Sequence, residues 1–342
     1  MPNSQWLFYF TGWLSAPTSC GFGPARGPQP AASRLPMQFE LQILGSASAT
    51  PMTGRHPTAQ LLAVGEGRYL IDCGEGTQWR LLEHRRRLSS LRVIFISHLH
   101  GDHYFGLFGL LGTLHLQGRQ EPLLIVGPPG LDFVLTTQAM HSGIQYGFNL
   151  TFVPVDTEAH AVVYEDALVR VSSLPMRHRI PCCGYLFEEQ PRRDRLVKER
   201  LPAGLSATEL AQLAQGHDLP ADPATGRPAL AHADVSVPAA PPRRYAFCSD
   251  TLYTPALAEL VRGADLLYHE ATFLEELRER AAQTHHSTAG QAAELARAAG
   301  VGQLLIGHFS SRYKQLAAHL TEAQAIFPNT ELALEGLVVS VA

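Results

Sequence analysis

The stretch that decides the fold is FISHLHGDHYFGL, residues 95–107. It places His98, His100, Asp102 and His103 between two apolar segments. Imidazole and carboxylate groups are costly to place beside a core unless they are paired or bind something. A polar turn would explain one such histidine, but four such groups in so short a stretch favour a common ligand.

Strands and helices alternate around this stretch. The continuous apolar run LRVIFIS (91–97) predicts a buried strand, and HYFGLFGLLGTLHLQG (103–118) predicts a helix that Gly118 ends. EGTQWRLLEHRRRL (75–88) predicts another helix, with Trp79, Leu82 and Arg86 at helical spacing. Further along the chain, several predicted strands end in polar residues: RRYAFCSDT (243–251), ADLLYHEATF (264–273) and QLLIGHFSSRY (303–313). This order predicts an α/β fold with a site where the strands end.

Composition limits the class of protein. Of the 342 residues, 45% are hydrophobic and 17% are charged, which is typical of a chain with a packed core. The formal net charge of −4 gives no overall attraction to nucleic acid, so a polyanionic partner would need a local basic patch. The 5 cysteines are odd in number and scattered, which favours a cytoplasmic location over a disulfide framework. No apolar run approaches the roughly 18–20 residues of a membrane span.

Residues 1–36 differ in character from the rest of the chain. An aromatic stretch, Trp6 to Leu14, precedes a segment rich in Gly, Pro, Ala and Ser. A signal peptide begins with cationic residues, but no Lys or Arg precedes Trp6. We therefore interpret residues 1–36 as a disordered or mis-called N-terminal extension. The first ordered strand is expected from Met37, within MQFELQILG.

Residues 188–242 interrupt the alternation of strands and helices. We interpret them as an arm inserted into a single catalytic domain, residues 37–342. The arm is rich in Ala, Pro and Gly, with a short helix predicted between Ser206 and Gln215. A basic run opens it: Arg192, Arg193, Arg195, Lys198 and Arg200. Such a run is most often a solvated face, so composition alone assigns it no partner.

The histidine-rich stretch itself predicts a metal site. Residues two apart point to the same side of an extended segment, so His98, His100 and Asp102 can converge as the chain leaves its strand. His103, at the start of the next helix, can face a neighbouring point. Neutral imidazole and carboxylate suit zinc, or manganese where more ligands are oxygens. Four ligands divided between two adjacent points indicate a site for two ions.

Nine motifs follow one another in a fixed order along the chain, and one of them contains H-x-H-x-D-H. They are LGSASATP (44–51), DCGEGTQ (72–78), SHLHGDHYFGLFGLL (97–111), GPPG (127–130), HRIPCCGY (178–185), CSDT (248–251), HEATF (269–273), HSTAGQAA (286–293) and GHFSSRY (307–313). In order and spacing this set resembles the ribonuclease Z family of tRNA 3′-processing endonucleases, within the metallo-β-lactamase fold superfamily. The likeness runs from about residue 37 to the C-terminus and is weakest in the arm.

The resemblance implies a four-layer αβ/βα sandwich with metals at the edge between two sheets. It implies two Zn²⁺ per subunit, with Mn²⁺ as the other candidate. The ligands of one metal would be His98, His100 and His178. The ligands of the other would be Asp102, His103 and His308. The carboxylate of Asp250 would bridge the two metals.

The resemblance also implies a reaction. A metal-activated water would cut precursor tRNA and remove its 3′ trailer, leaving a tRNA 3′-hydroxyl and a trailer 5′-phosphate. Asp102 would also orient this water or accept its proton. His286 would protonate the leaving ribose oxygen, and Glu270 would orient His286.

Substrate contacts are expected from two regions. Arg55, Arg312 and Tyr313 could hold phosphate near the site, and backbone N–H groups of Ser46 to Thr50 could assist.

In the family the arm grips the tRNA body, and relatives are usually homodimers in which one subunit's arm serves the other's site. This chain lacks the Gly-Pro pair that many relatives carry in the arm. The arm residues expected to meet phosphate are Arg192, Arg193, Arg195 and Lys198.

Two other functions remain open at this level. A hydrolase of the same fold could act on a small ester, lactone, thioester or phosphodiester, although small substrates need no arm. A non-catalytic RNA-binding module with a degenerate metal site is the third class, and the presence of all seven implied ligands disfavours it.

Overall fold

The structure, a computed structural model, describes residues 38–342, so the prediction for residues 1–36 lies outside the described residues. The strands are β1 (Phe39–Gly45), β2 (Ala59–Val64), β3 (Gly67–Ile71), β4 (Val93–Phe95), β5 (Leu123–Gly127), β6 (Leu150–Pro154), β7 (Val162–Glu165), β8 (Val169–Pro175), β9 (Cys183–Glu189), β10 (Arg195–Leu196), β11 (Ser236–Val237), β12 (Arg244–Cys248), β13 (Leu266–Glu270), β14 (Gln303–Gly307), β15 (Thr330–Leu332) and β16 (Val338–Ser340). The helices are α1 (Thr77–Glu83), α2 (Gly101–Tyr104), α3 (Gly106–Leu116), α4 (Leu131–Ser142), α5 (Ala207–Ala214), α6 (His232–Val235), α7 (Leu257–Leu260), α8 (Arg278–Thr284), α9 (Ala289–Ala299) and α10 (Ala317–Gln324).

Two seven-stranded sheets organise the described chain. One has the order β16-β1-β2-β3-β4-β5-β6, and the other has the order β15-β14-β13-β12-β9-β8-β7. Each sheet has an antiparallel part and a parallel part. The parallel pairs are β3/β4, β4/β5 and β5/β6 in the first sheet and β12/β13, β13/β14 and β14/β15 in the second.

The strands are apolar on both faces because each sheet is covered twice. In β3, Tyr69 and Ile71 belong to a core shared with residues of the other sheet, such as Phe187 and Phe247. Leu70, between them, belongs to a core formed with α1, α3 and α4. On the far side of the second sheet, residues of α7, α9 and α10 form a third core with β12, β13 and β14. Helix, sheet, sheet and helix layers confirm the predicted four-layer sandwich.

Helix α1 differs from its prediction in extent and in orientation. It covers Thr77–Glu83 and buries Thr77 and Leu81. Trp79 is 65% exposed and Leu82 is 44% exposed, so the predicted spacing marked the outer side of the helix. Arg86 lies beyond the helix end. Helical periodicity identified the helix, but tertiary packing decided which side is buried.

The arm has its own small core. Leu213, Leu219 and Val235 are buried there, against partly buried leucines of the same segment. Its helix α5 begins with a capping box between Ser206 and Glu209, as the predicted helix requires. The short strands β10 and β11 pair with each other and with neither large sheet. The insertion is therefore an ordered unit built on the sandwich.

Two further observations concern the described residues as a whole. Cys73, Cys182, Cys183 and Cys248 are buried free thiols, and the adjacent pair Cys182–Cys183 contributes small side chains to the cores on the two faces of its sheet. No helix in residues 38–342 combines the length and the apolar character needed to cross a bilayer.

Candidate metal centre

The site residues follow the ends of strands from both sheets. His98, His100 and the α2 residues Asp102 and His103 come after β4 in the first sheet. In the second sheet, Asp250 follows β12 and His308 directly follows β14. Because the carboxyl ends of parallel strands meet at one edge of a sheet, these side chains converge.

His178 completes one group of potential ligands. His98 Nε2 and His178 Nε2 lie 3.0 Å and 3.1 Å from His100 Nδ1. Asp250 Oδ2 is 3.7 Å from His98 Nε2 and 3.9 Å from His178 Nε2. All four ligand atoms lie within 4.8 Å of one another, so these residues could hold a metal ion.

A second group adjoins the first. Asp102 Oδ2 lies 3.4 Å from His103 Nε2 and 3.3 Å from His308 Nε2. Asp250 Oδ1, the other oxygen of the same carboxylate, is 3.5 Å from His103 Nε2 and 3.2 Å from His308 Nε2. Asp250 thus presents one oxygen to each group, which is the arrangement that a bridging carboxylate needs.

The hydrogen bonding and protonation of these side chains suit a bound cation. His103 Nε2 and Asp250 Oδ1 are buried and have no hydrogen-bond partner in the described chain, although such atoms are normally paired. Burial lowers the pKa of His98 well below its usual value and that of His178 to about 4, so both imidazoles are neutral near pH 7. Neutral imidazole is the form that binds a metal.

The second group favours positive charge. Burial opposes a charge on His103, but Asp102, Asp250 and Asp72 outweigh burial and raise the pKa of His103 well above its usual value. A bound cation would supply the charge that the proton supplies here. Imidazole and carboxylate in this proportion suit a divalent transition metal.

Hydrogen bonds behind the histidines orient their rings. Asp72 Oδ2 accepts from His103 Nδ1 at 2.7 Å, and Asp72 also accepts from the backbone N–H and the hydroxyl of Ser97. Thr272 Oγ1 lies 2.9 Å from His308 Nδ1, and the carbonyl of His285 accepts from His178 Nδ1 at 2.9 Å. Each contact occupies Nδ1 and leaves Nε2 facing the site, as such partners do around metal-binding histidines.

Sequence reasoning did not assign Asp72 or Thr272. Both lie within quoted motifs, and Asp72 directly follows β3, which is the signal that could have identified it. Asp72 has a φ of 55° and His308 has a φ of 59°, in the left-handed region that non-glycine residues seldom adopt. The fold accepts this backbone strain at the site itself.

Glu270 and His286 form a pair beside the two groups. His286 Nδ1 lies 2.9 Å from Glu270 Oε1, and Glu270 is fully buried. The carboxylate also accepts from the backbone N–H of Thr251 and from the N–H and hydroxyl of Thr272. Burial opposes a charge on His286, but Glu270 outweighs it and raises the pKa of His286 to about 9. His286 can therefore carry a proton that it can donate.

These groups open onto a cavity of about 540 Å³. Arg312 lines it, together with Ser48, Ala49 and Thr50 of the first loop, residues 46–58 between β1 and β2. Arg179, which the sequence analysis did not single out, also lines it.

The first loop offers fewer donors than expected. The backbone N–H groups of Ser46 and Ala47 donate to His56, and that of Ser48 donates to Phe309. These three N–H groups already have backbone acceptors, so they are not free to bind phosphate. The expectation that all of Ser46 to Thr50 could offer N–H groups to phosphate is therefore wrong for these three residues.

Arg55 and Tyr313 contact each other and do not appear in the cavity wall of the described chain. Arg55 Nη2 donates to the carbonyl of Tyr313. The Tyr313 hydroxyl accepts from the backbone N–H of Leu274 at 3.2 Å. These contacts connect the first loop to the segment after β14.

The arm residues lie outside this cavity. Arg193, Arg195 and Lys198 are exposed. Arg192 is also exposed, but its guanidinium pairs with Glu189, a buried carboxylate that Arg243 also contacts at 2.9 Å. Arg192 is therefore part of the base of the arm.

The chain is similar in sequence to proteins named Ribonuclease Z. The chain is 43% identical over 304 residues to Ribonuclease Z of Bacteroides fragilis strain YCH46, which covers 89% of this chain and 99% of that protein. It is 45% identical over 300 residues to Ribonuclease Z of Cytophaga hutchinsonii, covering 88% and 95%. A family model described as Anti-Pycsar protein Apyc1 matches residues 39–155.

Solved structures agree in fold. Human tRNase Z, short form, aligns with a TM-score of 0.64 and 25% identity over 89% of this chain and 99% of that chain. A metallo-β-lactamase fold protein from Bacillus subtilis aligns with a TM-score of 0.63 and 16% identity over 89% and 100%. Identity above 40% over nearly the full length of the Bacteroides and Cytophaga proteins decides the relationship. The chain belongs to the ribonuclease Z family.

Proposed function

We propose that this protein is an endoribonuclease that removes the 3′ trailer from precursor tRNA, leaving a tRNA 3′-hydroxyl and a trailer 5′-phosphate. The observation that carries the proposal is that two adjacent ligand groups, each facing one oxygen of Asp250, lie beside His286 and its buried partner Glu270. Hydrolysis of a phosphodiester requires an activated water, charge neutralisation and a proton for the leaving oxygen. The site has residues for each of these tasks.

The two ligand groups would hold two divalent cations, for which zinc fits the donor set and manganese is the alternative. When bound, such a pair supplies Lewis acidity, which acidifies a water and offsets the charge of a phosphate. The ligands would be His98, His100 and His178 for one ion, Asp102, His103 and His308 for the other, and Asp250 for both.

Three residues would act on protons and water. Asp102 lies at the second ligand group and lines the cavity, so it would orient the attacking water or accept its proton. His286, on the cavity wall, would donate its proton to the leaving ribose 3′-oxygen. Glu270 would keep His286 charged and fix the direction of its ring through the 2.9 Å hydrogen bond.

Binding of the tRNA would use two surfaces. Arg312 would meet phosphate close to the cut, while Arg55 and Tyr313 would support the wall that carries it. Arg193, Arg195 and Lys198 would meet phosphates of the tRNA body, and Arg192 would support the base of the arm through Glu189. Contacts of this kind add affinity without reading sequence.

We further propose a cytoplasmic homodimer. Buried free thiols fit a reducing compartment. Large apolar side chains are exposed on one helical layer, and subunit association would cover such residues. These side chains are Trp79 of α1, Leu116 of α3, and Phe133 and Met140 of α4.

The deciding experiment is incubation of the metal-loaded protein with a precursor tRNA that has a short 3′ trailer, followed by sequencing of the ends of both products. The proposal expects one cut, a 3′-hydroxyl on the tRNA and a 5′-phosphate on the trailer, with Asp102→Ala abolishing it. An intact precursor would contradict the proposal. Hydrolysis of a chromogenic diester would not separate this function from that of a small-substrate hydrolase, because both would show it.

A further inference from the structure

Arg179 places a guanidinium in the wall of the cavity. It follows His178 directly and lines the cavity, and it is exposed. Among the described residues its side chain has no hydrogen bond and no ion pair. By contrast, Arg119 and Arg243, both outside the cavity, contact several acceptors each. The fold therefore leaves the guanidinium of Arg179 available to a ligand.

Metal ions held by the two ligand groups would add positive charge to the cavity that Arg179 lines. An anion between Arg179 and those ions would be attracted to both. A guanidinium suits phosphate in particular because its planar fork can donate two parallel hydrogen bonds.

Arg179 is tied to the part of the wall that carries His286. His178 Nδ1 donates to the carbonyl of His285 at 2.9 Å, so the segment bearing Arg179 is fixed to the segment bearing His286. Thr284 and His286 line the same cavity. Arg312, the other arginine in the described wall, comes instead from the segment after β14. The two arginines therefore reach the cavity from different segments, and Arg179 comes from the one near the proton donor.

We propose that Arg179 is a substrate-binding residue that holds the phosphate on the 5′ side of the last retained nucleotide, one position before the bond that is cut. This assignment rests on the proposed function, because it takes His286 as the donor to the leaving 3′-oxygen. Holding that phosphate would fix the ribose whose 3′-oxygen leaves and would align it with His286. It would also favour a polynucleotide over a simple diester, which has no neighbouring phosphate.

The test compares Arg179→Gln and Arg179→Lys with Arg177→Gln as the matched control. Arg177 is also exposed and lies two residues away, but it does not appear in the cavity wall. With precursor tRNA, Arg179→Gln should lower kcat/KM by about 10- to 100-fold, the effect of losing a charge-assisted contact. Arg179→Lys should recover part of the loss, because it keeps the charge but not the fork. With bis(p-nitrophenyl) phosphate, all three variants should stay within about twofold of the wild type, with metal content unchanged.

A modified substrate identifies the phosphate. A neutral methylphosphonate at the position before the cut should slow the wild type about as much as Arg179→Gln does, and it should slow Arg179→Gln no further. If the methylphosphonate and Arg179→Gln each reduced the rate independently, so that the combined loss was the product of the two, the assignment would be overturned. Equal losses of Arg179→Gln on the tRNA and on the chromogenic diester, or unchanged cleavage of tRNA by that variant, would also overturn it. A wild-type protein that leaves precursor tRNA uncut would instead overturn the proposed function.

Discussion

His286 Nδ1 and Glu270 Oε1 are 2.9 Å apart, with the carboxylate fully buried and the imidazole on the cavity wall. Burial acts against the charge of His286, yet Glu270 raises the pKa of His286 to about 9. The charged imidazole in turn lowers the pKa of Glu270, against the effect of burial on that carboxyl. The pair is thus built to keep a proton on His286 at neutral pH.

Glu270→Gln should shift the alkaline limit of RNA cleavage to lower pH. The acid form of His286 is present below its pKa and is lost as pH rises through that value. Wild-type cleavage of precursor tRNA should therefore fall near pH 9, and the variant should lose activity closer to the ordinary histidine value of about 6.5. Rate profiles for precursor tRNA between pH 6 and 10 measure this shift.

A substrate with a good leaving group provides the control for His286. p-Nitrophenolate leaves without protonation, so His286→Ala should reduce tRNA cleavage by about 10²- to 10⁴-fold and diester hydrolysis far less. Equal losses on the two substrates would exclude His286 as the proton donor.

Asp250→Asn should lower the amount of bound metal in both ligand groups. Each oxygen of Asp250 faces one group, so the amide would remove the shared charge. Elemental analysis after dialysis should show reduced metal, while the exposed Asp132→Asn should retain the wild-type amount. Metal at 100 times its Kd should stabilise the wild type by about 2.7 kcal/mol and raise its Tm by several degrees, and a chelator should reverse this. A Tm indifferent to metal would contradict the metal centre.

Asp72→Asn should weaken metal binding without removing a ligand. Asp72 holds the Nδ1 of His103 at 2.7 Å and the backbone of Ser97 at 2.8 Å, so it fixes both the ring and the chain before it. Loss of such a partner typically costs about 10- to 100-fold in metal affinity. Competition with a chelator of known affinity measures the metal affinity of the variant. The control is Asp166→Asn, because Asp166 lies in a turn and accepts hydrogen bonds from Tyr69 and Tyr164. Unchanged affinity would mean that Asp72 serves only the fold.

Replacing residues 193–240 with a short Gly/Ser linker should separate tRNA cleavage from phosphodiester hydrolysis. The arm has its own core around Leu213, and the pairing of Glu189 with Arg192 and Arg243 at its base would be kept. Cleavage of precursor tRNA should fall by about 100-fold or more near physiological salt, and its dependence on salt should weaken. Hydrolysis of the chromogenic diester should persist. Equal loss of both activities would show that the arm supports the site rather than the substrate.

Local patterns predicted an α/β fold with a site where the strands end, and the resemblance to the ribonuclease Z family supplied the four-layer sandwich. Continuous apolar runs indicated strands covered on both faces, and polar residues after those runs marked the edge where His98, Asp250 and His308 meet. Features that depend on tertiary contacts could not be predicted from local patterns. The exposure of Trp79 depends on which side of α1 meets α3. The role of Asp72 depends on His103, which is remote in sequence. Arg179 resembled any solvated arginine until the cavity showed what it faces.

Glu335→Gln should weaken substrate binding through the first loop. Glu335 Oε2 accepts from His56 Nδ1 at 2.8 Å and lies 3.2 Å from Arg80 Nη2, while its other oxygen accepts from the His56 backbone. This carboxylate therefore anchors the end of the loop whose residues Ser48 and Thr50 line the cavity. Because the neutral amide has only one acceptor oxygen, the loop should loosen and KM for precursor tRNA should rise by about 3- to 10-fold.

The same variant should leave kcat and metal content near wild-type values, because Glu335 contacts neither ligand group. Glu331→Gln, an exposed residue on β15, should change none of the three quantities. Steady-state kinetics together with elemental analysis distinguish the possibilities. If kcat or metal content fell while KM stayed constant, Glu335 would instead support the metal centre. The prediction that Glu335 affects substrate binding through the loop would then be wrong.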